Sequence, residues 1–197
     1  NPKPQTPETT FFIFGFPIVM NEIKSSDSNP EAFPVMFIDS SNVENWLEDI
    51  DPLGEGAFGF VNLVKLRGTD KLFALKRMRS NNFSILKFRE EQRILQLLSD
   101  LPEVLKLEAA FGYRENLYIL TEICREKNLN QLIGELKPLE ARWIAYHLAQ
   151  AIHKVHTRGV KHNDLKPGNI LFGEDFRPKL CDFGTASHLS FEETPSC

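Results

Sequence analysis

The chain has few cysteines and no closely spaced pair of them. Its 197 residues include three, Cys124, Cys181 and Cys197, an odd number without a C-x-x-C motif. A disulfide framework needs paired cysteines in a small secreted domain, which this pattern does not offer. The cysteines therefore favour a reducing compartment, the cytoplasm or the nucleus.

Long apolar runs are also missing. The longest one, residues 11–20, contains Gly15 and Pro17 and is much shorter than the roughly 20 residues that a transmembrane helix needs. No basic stretch precedes it, which argues against a signal peptide. We therefore expect no membrane span.

The charge balance lacks an excess of basic residues. There are 23 Lys and Arg against 27 Asp and Glu, which gives a formal net charge of −4. Bulk electrostatics thus give no reason to expect binding to nucleic acid or to an anionic membrane. A hydrophobic content of 42% is ordinary for a folded globular protein.

The composition and the hydrophobic pattern of the sequence change near residue 46. Residues 1–45, rich in proline and serine, predict an N-terminal extension or the remnant of an upstream region, with two short strands. Residues 46–123 are mostly short β-type runs, and residues 124–197 contain a long amphipathic helix. Strands first and a helix-led section afterwards predict an α+β fold with two lobes. The predicted helices are 83–98 and 139–158, and the predicted strands after residue 45 are 50–53, 60–66, 72–77, 107–113, 117–123, 170–172 and 179–181.

A glycine-rich loop lies between the first two of these strands. It reads Leu53-Gly54-Glu55-Gly56-Ala57-Phe58-Gly59-Phe60-Val61, a G-x-G-x-x-G-x-V pattern. Glycines allow backbone N–H groups to approach phosphate oxygens closely. The pattern alone is a weak signal, but a dinucleotide-binding fold would need a helix directly after the loop. A strand follows here, which argues against that fold.

A lysine stands in an apolar strand 15 residues after Val61, in Phe73-Ala74-Leu75-Lys76. Such a lysine either faces solvent or needs a carboxylate partner. The following helix offers Glu90 and Glu91, and either could instead be solvated. We prefer Glu91 because it lies shortly before the apolar pair Ile94-Leu95.

Two more motifs follow the long helix. The first is His162-Asn163-Asp164-Leu165-Lys166-Pro167-Gly168-Asn169, and the second, 13 residues after Asn169, is Asp182-Phe183-Gly184. Together with the glycine loop, Lys76 and Glu91, their order and spacing resemble those of eukaryotic-type protein kinases from about residue 47 onwards. The D-L-K-P stretch resembles Ser/Thr-directed kinases, and the sequence around Glu91 and Asp182 is similar to the AGC group.

The resemblance implies a role for each matched residue. Lys76 would hold the α- and β-phosphates of ATP and would be oriented by Glu91. Asp164 would orient or accept the proton of a Ser or Thr hydroxyl on a protein substrate, and Lys166 would neutralise charge on the transferring phosphoryl group. The remaining implied contacts to ATP come from the glycine loop, from the adenine-site residues Val61, Ala74 and Leu171, and from the hinge residues Thr121, Glu122 and Cys124.

The resemblance also implies a magnesium site. Asn169 and Asp182 match the family's Mg²⁺ ligands, and both carry the hard oxygen atoms that this ion prefers. No other metal is implied.

One pocket departs from the family pattern. Asn163 stands where most kinases carry an arginine that binds a phosphate on the activation loop, and Asn cannot form that bidentate pair. Two further positions of the pocket fall on Lys87 and Ser187, which leaves one cation of three. The position often phosphorylated in AGC kinases falls on Pro195. We therefore expect activity that does not depend on a phosphate read through this pocket.

Two positions bear on the substrate. Gly168 and Asn128 stand at or near places where AGC kinases use acidic residues to bind basic substrate residues, so we expect no basic-directed motif. The chain ends at Cys197, within the segment that the resemblance identifies as the activation segment. We accordingly expect this chain alone to be inactive and assign kinase activity to the complete parent protein.

Two other functions remain open at this stage. One is a pseudokinase or scaffold that binds ATP or partners without phosphotransfer. The other is a small-molecule kinase of the aminoglycoside or choline type, which usually lacks this glycine loop and the D-L-K-P stretch. A regulatory partner in addition to protein substrates is also left open.

Overall fold

The computed structural model describes residues 10–13, 16–22, 36–38, 46–56, 59–124 and 128–189. The chain divides into two compact units, each built from two separate stretches. The first unit comprises Asn1–Asn81 and Ala109–Leu120, and the second comprises Asn82–Glu108 and Thr121–Cys197. The division at residues 45 and 123 that the sequence suggests stays a prediction.

The first unit is built on a β-sheet with the strand order β1-β2-β3-β7-β8-β6-β5-β4. Three of the described strands precede residue 46, where the sequence predicted two, because the short apolar run at β3 pairs with β2 and with β7. The strands are β1 Thr10–Ile13, β2 Phe16–Glu22, β3 Met36–Ile38, β4 Leu47–Gly56, β5 Gly59–Leu66, β6 Leu72–Arg79, β7 Leu107–Tyr113 and β8 Asn116–Glu122.

One face of this sheet carries the hydrophobic core of the first unit. Side chains alternate between the two faces of a strand, and in β6 this alternation buries Phe73 and Leu75. Their neighbours in the core include Val64, opposite Phe73 on β5. The Phe111 ring stacks on Tyr118 with centroids 5.2 Å apart. The opposite face of β5 and β6 is thereby left for the residues predicted to bind ATP.

In its described residues, the second unit combines three helices with two small antiparallel sheets. The strands pair as β10 with β11 and as β9 with β12. The elements are α1 Asn82–Leu97, α2 Leu129–Leu132, α3 Pro138–Thr157, β9 Val160–Lys161, a 3-10 turn Pro167–Asn169, β10 Ile170–Phe172, β11 Pro178–Leu180 and β12 Ser187–His188.

The long helix α3 begins and ends with recognisable signals. Pro138 occupies its first turn, and the Glu140 carboxylate accepts the backbone N–H of Lys137 at 2.8 Å. Gly159 follows its end with a φ of 72°, the left-handed conformation that glycine adopts without strain. This places the glycine at the end of the helix, where the sequence predicted it.

The buried face of α3 includes Ile144, Ala151 and Val155. Leu148 and Ile152, predicted on the same face, are half-buried. Among the residues that the structure describes, no helix has both the length and the apolar character that crossing a membrane requires.

Candidate active site

The chain after α3 brings two predicted catalytic residues and one predicted magnesium ligand into contact. The Lys166 ammonium donates to Asp164 Oδ2 at 2.6 Å, and Asn169 Nδ2 donates to the same oxygen at 3.0 Å. Asn169 Nδ2 also donates to the backbone oxygen of Asp164 at 2.9 Å. The hydrogen bond from Lys166 is the main cause that lowers the pKa of Asp164, and the same bond raises the pKa of Lys166. The site therefore holds an ionised carboxylate beside a charged ammonium.

A buried histidine joins this loop to the D-F-G segment. The Nδ1 atom of His162 accepts the backbone N–H of Asp164 at 3.3 Å. An accepting Nδ1 leaves the proton on Nε2, which lies 2.9 Å from the carbonyl oxygen of Cys181 and donates to it. The imidazole also contacts the Phe183 ring, with centroids 4.6 Å apart. His162 thus fixes the backbone next to Asp164 relative to the backbone next to Asp182.

The residues predicted to hold magnesium have a suitable donor set. The side-chain nitrogen of Asn169 faces Asp164, so the side-chain oxygen of Asn169 points in another direction. Asn169 is only 6% exposed. Its backbone oxygen accepts the N–H of Cys181 at 3.1 Å, so the chain leading to Asp182 is tied to Asn169. Asp182 has a φ of 60°, a sparsely populated conformation for a side-chain-bearing residue.

Amide and carboxylate oxygens fit Mg²⁺, which proteins often hold with one or two groups while phosphates and water supply the rest. The described residues contain no group of three or more His, Cys, Asp or Glu arranged to hold a metal. Asn169 with Asp182 is therefore the pair that the Mg²⁺ proposal uses.

The glycine loop lies at the turn between β4 and β5, with Gly54 opposite Val61 and Gly56 opposite Gly59. A methyl group added at Gly54 would meet no atom within 4 Å. One added at Gly59, whose φ is 145°, would lie 2.0 Å from the backbone oxygen of Arg77. Leu53 and Glu55 are exposed, whereas Ala57 and Phe58 lie outside the described residues.

Three of the predicted nucleotide contacts share one face of the sheet. Val61 on β5 lies opposite Lys76 on β6, and Leu63 lies opposite Ala74. Directly opposite residues on antiparallel strands project to the same side, and residues two apart in one strand do so as well. Val61, Ala74 and Lys76 therefore lie together on the face opposite the core of the first unit.

The two candidate glutamates of α1 have different environments. Glu91 is 4% exposed. Glu90 is less buried and its Oε2 lies 2.9 Å from the Lys87 ammonium. A buried carboxylate requires a hydrogen-bonding or charged partner, which favours Glu91 over Glu90 for the role predicted from the sequence. Its pairing with Lys76 stays a prediction.

The predicted hinge residues are positioned by contacts that the sequence did not reveal. Thr121 is 8% exposed. The Glu122 carboxylate accepts the backbone N–H of Lys106 at 2.8 Å and the Lys179 ammonium at 2.7 Å. The side chain of Glu122 therefore joins the end of β8 to β11, where Leu171 of β10 lies opposite Lys179. A lysine inside the short apolar strand β11 was the available signal for this pair.

Burial raises the pKa of the Cys124 thiol to about 11. Near neutral pH this cysteine is thus a small, protonated side chain. This favours a packing role for Cys124 over reaction with electrophiles, the alternative that a hinge cysteine otherwise invites.

A match to the protein kinase domain covers residues 47–196. The chain is 33% identical over 155 residues to "Cyclin-dependent kinase-like 5" of Homo sapiens, over 76% of this chain and 16% of that protein. It is 36% identical over 153 residues to "3-phosphoinositide-dependent protein kinase B" of Dictyostelium discoideum, over 72% of this chain and 16% of that protein. It is 31% identical over 142 residues to "Serine/threonine-protein kinase cek1" of Schizosaccharomyces pombe, over 68% and 11% respectively.

This chain belongs to the protein kinase family, and the α+β kinase fold that the sequence predicts is confirmed. It spans only 11% to 16% of the length of these three relatives. The names of the relatives include both cyclin-dependent-kinase-like and phosphoinositide-dependent kinases. The AGC-like subgroup accordingly stays a prediction.

Proposed function

We propose that the protein containing this chain transfers the γ-phosphoryl group of ATP to serine and threonine hydroxyls of protein substrates. The observation that carries the proposal is the joint hydrogen bonding of Lys166 and Asn169 to the Asp164 carboxylate. A carboxylate held ionised beside a fixed ammonium can orient a hydroxyl group while the ammonium offsets negative charge on a phosphoryl group. The name of the relative from Schizosaccharomyces pombe, "Serine/threonine-protein kinase cek1", supports the same acceptor class.

In the proposed reaction the substrate hydroxyl oxygen forms a bond to the γ-phosphorus of ATP. The bond from that phosphorus to the oxygen of the β-phosphate breaks, ADP leaves, and the hydroxyl proton passes to Asp164 or to solvent. The lowered pKa of Asp164, caused first by its hydrogen bond from Lys166, makes it a weak base. Its main contribution is therefore to orient the hydroxyl group, and we assign Oδ1 to this role because both side-chain bonds end on Oδ2.

Magnesium, when bound, would neutralise phosphate charge and hold the phosphates in place. Asn169 and Asp182 would hold it. Lys76, supported by Glu91, would bind the α- and β-phosphates, and Gly54 leaves open space where a phosphate can approach the backbone. The remaining proposed contacts to ATP are Leu53, Glu55, Gly56, Ala57, Phe58, Gly59, Val61, Ala74, Thr121, Glu122, Cys124 and Leu171.

The side chain of Asn128 supports a substrate preference without a basic motif. It caps α2 by accepting the N–H of Gln131 at 3.0 Å, so it is used within the fold. Location in the cytoplasm or nucleus is supported by Cys124 and Cys181, neither of which forms a disulfide.

The test uses the complete protein, γ-labelled ATP with Mg²⁺ and a mixture of acceptor proteins, followed by analysis of the labelled amino acids. We expect phosphoserine and phosphothreonine, and a loss of about 10²–10⁴-fold in rate for Asp164→Asn. Asp175→Asn, an exposed carboxylate on the turn between β10 and β11, is the matched control. Binding of Mg-ATP without any transfer would instead support the pseudokinase alternative, and equal rates for Asp164→Asn and the unchanged protein would refute the proposal.

A further inference from the structure

The chain that follows the D-F-G segment is attached to the catalytic loop, residues 162–169, by the side chain of Asn163. Its Nδ2 atom lies 3.1 Å from the backbone oxygen of Thr185 and 3.1 Å from Ser187 Oγ. A carbonyl oxygen can only accept a hydrogen bond, so the amide nitrogen must face Thr185. An amide nitrogen has two hydrogens, and these two acceptors use both of them.

The backbone at this position also suits asparagine. Asn163 has a φ of 63°, in the left-handed region where Asn is several-fold enriched over most residues with a side chain. The same residue therefore satisfies an unusual backbone conformation and supplies two hydrogen-bond donors. The backbone conformation and the two hydrogen bonds are independent reasons for an asparagine at this position.

Further bonds hold the same stretch of chain. Thr185 Oγ1 donates to the backbone oxygen of His162 at 3.3 Å. Strand β12 pairs with β9, with Ser187 opposite Lys161, and the N–H of Leu189 donates to the oxygen of Gly159 at 3.0 Å. Residues 185–189 are thus fastened at several points to the chain between α3 and Asp164.

We propose that Asn163 is a positioning residue that holds residues 185–189 against the catalytic loop without the help of a phosphate group. An arginine at this position, as the family resemblance implies for most kinases, would leave its charge available for a phosphate. Here the donors of Asn163 are already used, and the Lys87 ammonium is paired with Glu90 at 2.9 Å. This inference extends the proposed kinase function, because the fastened stretch begins directly after the segment that carries Asp182.

The experiment measures amide hydrogen exchange in the complete protein before and after phosphatase treatment. Asn163→Gly keeps the left-handed backbone and removes the amide, whereas Asn163→Asp keeps the shape and removes the donors. We expect exchange at Ala186 and Leu189 to become about tenfold faster in both variants, the effect of losing one or two hydrogen bonds. Amide exchange within α3 should not change in either variant. In the protein that carries Asn163, phosphatase treatment should not alter the exchange rates.

The matched control is Asn62→Asp on β5, which makes the same chemical change in an amide that donates to Asp49 at 3.3 Å. It should leave exchange at 185–189 unaltered. The inference would be overturned if Asn163→Gly left amide exchange at 185–189 unchanged. It would also be overturned if phosphatase treatment made these amides exchange faster in the protein that carries Asn163. The readout does not require activity, so absence of phosphotransfer with the expected exchange pattern would refute the proposed function and leave the positioning role intact.

Discussion

A methyl group added at Gly59 would lie 2.0 Å from the Arg77 backbone oxygen, whereas one added at Gly54 would meet no atom within 4 Å. The φ of 145° at Gly59 is also unfavourable for any residue with a side chain. We therefore expect Gly59→Ala to lower the free energy of unfolding by about 2–3 kcal/mol. Gly54→Ala, the matched control, should change it by less than about 0.5 kcal/mol.

Urea unfolding followed by fluorescence would measure both differences. Equal stability of the two glycine variants would contradict the structural role of Gly59. The expected contrast separates two uses of glycine within one motif: Gly59 allows β5 to approach β6, whereas Gly54 keeps space open above the hairpin.

Cys124 provides a prediction about reactivity. Burial raises the pKa of its thiol to about 11 from an ordinary 9.0, so the thiolate fraction at pH 8 falls by about a hundredfold. We expect iodoacetamide to modify Cys124 at pH 8 about a hundred times more slowly than in the urea-unfolded chain. The rate in the folded protein should keep rising up to about pH 11. Peptide mass spectrometry would measure it, and equal rates in the folded and unfolded protein would show that burial does not protect this thiol.

At the scale of elements, the ion pair between Lys179 and Glu122 connects β11 with the end of β8. Both side chains are largely buried, at 19% and 28% exposure, so solvent screens the pair less than an exposed one. We expect Lys179→Met to lower the free energy of unfolding by about 1–2 kcal/mol. The control is Lys106→Ala, since the Lys106 side chain is 61% exposed in its pair with Glu108 and should contribute less than about 0.5 kcal/mol.

Thermal and urea unfolding of the two lysine variants would test this difference. A loss for Lys106→Ala as large as that for Lys179→Met would mean that surface charge, rather than the buried pair, determines the effect.

Most of the longer elements could be predicted from the sequence, although β4, predicted at 50–53, forms at Leu47–Gly56. The shortest elements could not be predicted. Helix α1 was predicted at 83–98 and forms at Asn82–Leu97, and β7 forms at the predicted bounds. Their apolar periodicity spans several turns or alternations, which is the strongest local signal. Strands β9 and β12 have two residues each. These two strands form only because the tertiary fold places them side by side. The local sequence does not indicate that pairing.

The same distinction applies to the candidate site. Asp164, Lys166 and Asn169 are close in sequence, so their spacing alone indicated a shared site. The contacts of Asn163 with Thr185 and Ser187 span 22 and 24 residues, and the sequence showed only an unusual residue at that position. Hydrogen bonds between distant residues depend on tertiary register, which motif spacing does not encode.

For the whole molecule, binding of Mg-ATP should stabilise the folded state. A ligand present at a hundred times its Kd contributes about 2.7 kcal/mol. We expect the complete protein to gain about this much with Mg-ATP, and Asp182→Asn to lose the part of the gain that depends on Mg²⁺. Thermal unfolding with ATP, with Mg-ATP and with Mg²⁺ alone would measure it. Equal stabilisation of Asp182→Asn and the unchanged protein by Mg-ATP would contradict the assignment of Asp182 as a magnesium ligand.

The parallel pairing of β3 with β7, at Phe37 opposite Gly112, has a consequence for solubility. Strands β1, β2 and β3 continue the sheet beyond β7, so β7 is an interior strand. Without them, the edge of β7 around Gly112 would be open to a strand from another molecule, the usual route to edge-to-edge aggregation. A chain that starts at residue 46 should therefore self-associate, which light scattering would detect. A monomeric chain 46–197 would contradict this role of β1, β2 and β3.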